Sequence, residues 1–329
     1  MTTVPLGAPL SELRPGGVVL TIAVLTFRRP VDLAAVLPLL LEQAAELATG
    51  YRTVEVLVVD NDPDGSGRPV VQTMGDPRVR YVAEPEPGIA AARNRALAEA
   101  GAGAGHTLVF IDDDERPHPG WLAALLAAQS AAGAVAVAGA VVSDFEAPLD
   151  PWVAAGDFFR RRRMPTGTPI GVAATNNLLL DLGVVRAAGL TFDAAFGLSG
   201  GSDTLFTRQL AALGPMVWCD DAVVTDHVPA ARTTRDWVLR RAYRSGNSAS
   251  RVDLALAGGV VDRARARGTA VGRGLPRVVG GLGRWLVGRV LRSPAHQAHG
   301  LRTAARGAGM LAGTAGHVYV EYRRTAAAG

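Results

Sequence analysis

The chain has 329 residues, 48% of them hydrophobic, with 34 basic against 30 acidic side chains and a single cysteine. That length and apolar content can build a substantial core in one large or two ordinary domains. Cys219 alone excludes an internal disulfide framework and a cysteine-rich zinc site. The complete absence of lysine excludes lysine-based chemistry and leaves guanidinium groups and backbone amides to meet anions.

Charge is unevenly spread. Residues 1–230 hold 16 arginines against 26 acids, whereas residues 231–329 hold 18 arginines against 4 acids. Met1–Gly17 lacks the basic start and long apolar centre of a signal peptide, so a cytoplasmic location is expected.

In chain order, Val18–Leu25 is a β-branched run that stops at Thr26-Phe27-Arg28-Arg29-Pro30. Leu33, Val36, Leu37, Leu40 and Leu41 then recur with helical spacing. Val54–Val59 repeats the pattern and ends in Asp60-Asn61-Asp62, followed by a loop rich in proline and glycine. Val79–Val82 is a short strand leading through Gly88 into a helix over Ile89–Ala100.

The fourth strand, Leu108–Ile111, runs straight into Asp112-Asp113-Asp114-Glu115. Carboxylates this crowded repel one another unless solvent, a basic side chain or a divalent metal intervenes, and hard oxygen ligands suit Mg²⁺ or Mn²⁺. Two readings stand side by side: a metal site at a strand end, or an acidic turn capping a helix that begins at Trp121. Gly120–Ser143 is uncharged and long enough to raise a membrane span, but Trp121–Ala132 suits a helix, Gly133 breaks it and Val135–Val142 suits a buried strand.

Strands alternating with helices predict an α/β fold with a mainly parallel sheet covered on both faces. Polar strand ends then converge on one crevice: Thr26 and Arg28, Asp60 and Asn61, and Asp112–Asp114, joined by Arg93 on the helix after Gly88.

Leu25-Thr26-Phe27-Arg28-Arg29-Pro30, Val58-Val59-Asp60-Asn61, Gly88-Ile89-Ala90-Ala91-Ala92-Arg93-Asn94 and Phe110-Ile111-Asp112-Asp113-Asp114-Glu115 resemble, in order, the signature segments of glycosyltransferase family 2, whose members have the GT-A fold. The resemblance continues through Thr175-Asn176-Asn177, Gly200-Gly201-Ser202-Asp203, His227 and Arg232. It implies a GT-A catalytic domain over 18–250, with a nucleotide-binding half at 18–142 and an acceptor half at 143–250. Residues 1–17 are then an N-terminal extension and 251–329 a basic helical region.

By the same resemblance the activity is inverting transfer of a sugar from a nucleotide-diphosphate sugar, a UDP-sugar first, to an acceptor hydroxyl. Asp60 would bind base or ribose, and Thr26, Arg28, Asn61 and Arg93 the nucleotide. Asp112 and Asp114 would form the DXD site for Mg²⁺ or Mn²⁺, with Asp113 reaching ribose or metal and His227 a further metal ligand. Asn177, Gly201, Ser202 and Arg232 fall to donor or acceptor. Asp203 matches the second acid of the family's Glu-Asp pair, the catalytic base; Ser202 replaces the glutamate. Two rival classes are a nucleotidyltransferase or phosphotransferase on a similar sheet and a non-catalytic nucleotide-sugar binder.

Arg160–Arg163 reads as a solvated face or loop, with an anionic acceptor as the functional alternative, and Gly246-Asn247 reads as a helix stop. Beyond Ala255, apolar residues alternating with arginine predict one or two amphipathic helices. These either lie on an anionic membrane surface, making the protein peripheral on the inner membrane face, or pack on the core or a second copy as a homodimer. Nucleic acid is not an expected partner, because the tail offers few aromatics for base stacking.

Overall fold

The structure, a computed structural model, describes residues 19–47, 53–101 and 106–320; the extension expected over 1–17 lies outside them. The chain divides into two compact units. The first comprises residues up to 142, 161–194 and 206–226, and the second comprises 143–160, 195–205 and 227 onward.

The first unit is built on an eight-stranded mixed sheet. Its strands are β1 (Val19–Thr26), β2 (Thr53–Asp60), β3 (Val79–Ala83), β4 (Thr107–Asp112), β5 (Glu115–Pro117), β6 (Ala136–Phe145), β7 (Asn177–Asp181) and β8 (Met216–Val228). The order is β3-β2-β1-β4-β7-β6-β8-β5. β3, β2, β1 and β4 run parallel, while β7 lies antiparallel to β4 and to β6, and β5 is antiparallel to β8.

Alternation along the strands explains why both faces are covered. Leu20, Ile22 and Val24 of β1 pack with Val56, Val58, Val109 and Ile111 against α1 (Pro30–Glu46) and α4 (Trp121–Ala132). Ala23 and Leu25 point the other way with Leu57, Val59, Leu108 and Phe110, toward α3 (Ile89–Glu99), α6 (Leu182–Ala187) and Phe192. α2 (Arg68–Met74) lies between β2 and β3 in the chain. Each fully buried Val, Leu or Phe here contributes about 1.5–3 kcal/mol relative to exposure. The uncharged stretch over 120–143 resolves, as its glycine implies, into α4 followed by β6.

Register places the polar strand ends. Thr26 pairs with Asp60, and Leu25 with Asp112, so three parallel strands end at one level. Because β7 is antiparallel, Asn177 at its start pairs with Ile111 at the end of β4. Glu115 pairs with Asp226 across β5 and β8.

The second unit is helical, with α5 (Pro151–Ala155), the start of α7 (Ser202–Leu210), α8 (Arg235–Ala255), α9 (Val260–Val290) and α10 (Pro294–Thr314). Trp152, Val153, Val238 and Ala298 form its main apolar cluster, edged by Phe158, Phe159 and Trp237. The expected stop at Gly246-Asn247 is not there: α8 runs through both residues. A side chain at Gly246 would collide with the Arg306 carbonyl of α10, so this glycine serves helix approach. Asn247 donates to His317 O at 2.9 Å and accepts from Tyr319 N, fastening the segment after α10. The amphipathic region beyond Ala255 forms two helices, α9 and α10. Among the described residues no helix is long and apolar enough to cross a membrane.

Candidate functional site

The end of β4 carries the densest group of acids in the first unit. Asp113, Asp114 and Glu115 are buried, and Asp112 is half-buried beside them. Burial, followed by repulsion from Asp114, pushes Asp112 up to about 7, with Arg93 opposing. Burial likewise pushes Asp113 up to about 6 against the pull of Arg29. Glu115 is held well above the usual carboxylate range by burial and by Asp112, and Asp226 adds its charge to both Asp112 and Glu115. These carboxyl groups are short of positive charge.

The neighbours supply some. Arg29 Nη1 reaches Asp113 Oδ1 at 3.1 Å and Asp114 Oδ2 at 2.6 Å. Burial pulls the Arg29 guanidinium down, but those two carboxylates outweigh it and hold it above its ordinary value. Thr26 Oγ1 donates to Asp113 Oδ2 at 2.8 Å, Asn176 Nδ2 donates to Glu115 Oε1, and Arg161 pairs with Asp226. Arg93 is buried, with its guanidinium over the Phe192 ring.

The ends of β1 and β2 form a second, tightly bonded corner. Asp60 is fully buried: Oδ1 accepts from Asp62 N, and Oδ2 from Gly67 N at 2.7 Å and Tyr81 OH at 3.0 Å. Asn61 donates to the Glu84 and Glu86 carbonyls and accepts from Gly88 N, fixing the loop that leads into α3. Arg28 is exposed and pairs with Asp62 and Asp64. Asp60 and Asn61 thus hold the loops around the strand ends in place.

Asn177 is committed to the interior. Its Oδ1 accepts from Trp121 Nε1, and its Nδ2 donates to the Ala140 and Ala222 carbonyls, each at 2.9 Å. The asparagine that faces the acids is its neighbour Asn176. Asn177→Ala strands a buried indole N–H and two carbonyls, so it is expected to destabilise the protein by about 3 kcal/mol, read as a lower denaturant midpoint.

The remaining expected site residues belong to the second unit. Asp203 is half-buried in the first turn of α7, where a helix N-terminus favours negative charge, and its Oδ1 accepts from Thr204 N at 2.8 Å. Gly200 and Gly201 precede it with φ of +76° and +103°. A Cβ on Gly201 would stand 3.1 Å from Ser248 Cβ and 3.2 Å from Phe196, so backbone passes closely here. Ser202 is buried. His227 Nδ1 lies 3.5 Å from Asp144 on an exposed surface, and Arg232 ends a 3₁₀ turn over Ala230–Arg232.

The run Arg160–Arg163 lies in a loop with Arg160, Arg162 and Arg163 exposed, as expected of it, and adds ion pairs: Arg160 meets Asp157, Arg161 meets Asp226 and Arg163 meets Asp220. These acids lie 3 to 65 positions away in sequence. Arg29, Glu115, Asn176 and Asp226 are further members of the acid cluster that the sequence did not single out. Arg29 stood in the segment between β1 and α1, and Glu115 closed the acid run, so both carried a local signal. Asp226 depends on antiparallel pairing, which leaves no local trace, and Asn176 stood in the Thr175-Asn176-Asn177 segment with its direction set only by where β7 starts.

The donor set fits a hard divalent cation. All of its oxygens are carboxylate, and the upward shifts of Asp112 and Asp113 mark a place where added positive charge would be favoured. Among the described residues no group of three or more His, Cys, Asp or Glu side chains could hold a metal ion.

The family model described as glycosyl transferase family 2 matches residues 21–184. The succinoglycan biosynthesis protein ExoM of Rhizobium meliloti (strain 1021) is 33% identical over 235 residues, spanning 70% of this chain and 74% of that protein. Among solved structures, S. aureus TarS 1-349 is 13% identical over 85% of this chain and 89% of its own, with a TM-score of 0.49. GalNAc-T7 with UDP, GalNAc and Mn2+ is 12% identical over 72% of this chain and 51% of its own, also with a TM-score of 0.49. From the ExoM match and the family segment, the chain belongs to glycosyl transferase family 2 and is a glycosyltransferase.

Proposed function

We propose that the chain moves a sugar from a nucleotide-diphosphate sugar, a UDP-sugar first, to a hydroxyl of a growing polysaccharide or glycoconjugate, with inversion at the sugar carbon. The observation that carries this reading is the cluster of charge-starved carboxylates at the end of β4, set beside two other strand ends. The 33% identity to a succinoglycan biosynthesis protein supports polysaccharide assembly as the setting.

Asp112 and Asp114 are the residues that would hold the metal. When bound, a divalent cation supplies Lewis-acid stabilisation of the departing diphosphate, worth several kcal/mol in such reactions. Arg93 faces the nucleotide from α3, and Asp60 with Asn61 holds the loops that receive base and ribose. Thr26 and Arg29 fix Asp113 and Asp114 in place. Asp203 takes the proton from the acceptor hydroxyl as its oxygen forms the new bond to the sugar carbon. The old carbon–oxygen bond breaks toward the diphosphate, which leaves with the electron pair. Attack from the face opposite the leaving group inverts configuration.

A panel of UDP-, GDP-, ADP- and dTDP-sugars, assayed for hydrolysis with Mg²⁺, with Mn²⁺ and with chelator, tests the reading. At least one donor is expected to turn over with metal and to stop with chelator. Turnover of none, or of one regardless of chelator, would contradict it.

A further inference from the structure

α9 presents two unlike faces. Gly274, Gly281 and Gly288 recur at seven-residue steps and are buried against α10. A Cβ on Gly281 would stand 2.6 Å from Ala304 N and 2.7 Å from Gly300 O, so these two helices meet backbone to backbone. Elsewhere around the helix Val271, Leu275, Val279, Leu282, Leu286 and Val290 recur at steps of three and four residues, which brings them into one row. Each of the six leaves between 44% and 82% of its surface in water. A contiguous apolar row of this kind on a monomer marks a surface that meets something.

Charge decides what. Residues 260–290 carry seven arginines and one acid, Asp262, which pairs with Arg265. Arg289 stands about five turns beyond Val271 and so shares its bearing, while Arg265 and Arg267 flank the row near its start. A second copy docking through this face would set arginine against arginine. An anionic surface with an apolar interior meets both features, and the absence of a helix able to cross a membrane among the described residues matches contact in the plane of the surface.

We propose that α9 lies parallel to an anionic phospholipid bilayer, with the row from Val271 to Val290 seated at the acyl boundary and the arginines among the headgroups.

Flotation of the intact chain with vesicles of phosphatidylcholine, alone or mixed with phosphatidylglycerol, tests this at moderate salt. The chain is expected to float with the mixed vesicles. Leu275→Gln, Leu282→Gln and Leu286→Gln combined should lower the bound fraction about tenfold while leaving the circular dichroism spectrum unchanged, because burial of these side chains is what binding adds. Arg265→Gln, Arg267→Gln and Arg289→Gln combined should remove the preference for phosphatidylglycerol. An intact chain that stays unbound overturns the proposal, as does a leucine variant that floats equally well. Sedimentation showing that the leucine changes dissociate a dimer, with no form floating, would assign the face to a second copy and also overturn it. The assay reads no transfer, so its failure is distinguishable from failure of the transferase reading.

Discussion

Asp112→Asn is expected to lower sugar transfer by about 10²–10⁴-fold, the size of a lost metal-borne stabilisation of the leaving group, while leaving the fold intact. Burial and Asp114 push the Asp112 carboxyl up to about 7. A raised acid binds its proton more tightly in the folded chain than in the unfolded one. Its contribution to stability is therefore present at low pH and is lost as pH rises from about 4 through about 7, because in that window the unfolded chain binds fewer protons than the native one and unfolding releases them. In metal-free buffer the parent protein should lose stability across that window. The asparagine variant should lose less of it, by an amount on the order of a few kcal/mol. Thermal unfolding across the pH range, with initial rates at saturating metal, reads both effects. A variant that is less stable than the parent at pH 8, or fully active, would contradict the argument.

Asp203→Asn is the second large effect. Removing a general base costs about 10²–10⁴ in rate, and the amide fills almost the same space as the carboxylate in the first turn of α7. Asn at this position still accepts from Thr204 N, so structure should be retained. Transfer is expected to fall by that factor while nucleotide affinity stays within about twofold of the parent. Loss of nucleotide binding alongside activity would place Asp203 in donor binding and not in proton transfer. Full activity would remove the assignment altogether.

The parallel half of the sheet was legible from sequence because its signals are local. An apolar β-branched run that stops at a polar residue marks both a strand and its ligand-facing end, which is how Thr26, Asp60 and Asp112 could be lined up before any register was known. The antiparallel half carries no such mark. Asp226 joins the acids only because β8 pairs with β5, and Asn176 meets Glu115 only because β7 starts where β4 ends. Asn176 and Asn177 show the limit most clearly: two identical neighbours point to opposite sides of one strand start, one to the acids and one into the core. Gly246 misled for a related reason. Glycine ends a helix when the helix is alone, but here the same missing Cβ lets α10 approach α8, and only the partner helix reveals which role applies. The ion pairs of Arg161 and Arg163 left no signal in the sequence because their acids lie more than fifty residues downstream.

The most direct measurement is calorimetric titration of UDP, GDP, ADP and dTDP into the chain with and without Mn²⁺, repeated for Asp112→Asn combined with Asp114→Asn. One diphosphate is expected to bind at least about tenfold more tightly with metal, and the double variant should lose that difference while Asp203→Asn keeps it. Equal affinity with and without metal in the parent chain, or a metal effect that survives in the double variant, would contradict the account.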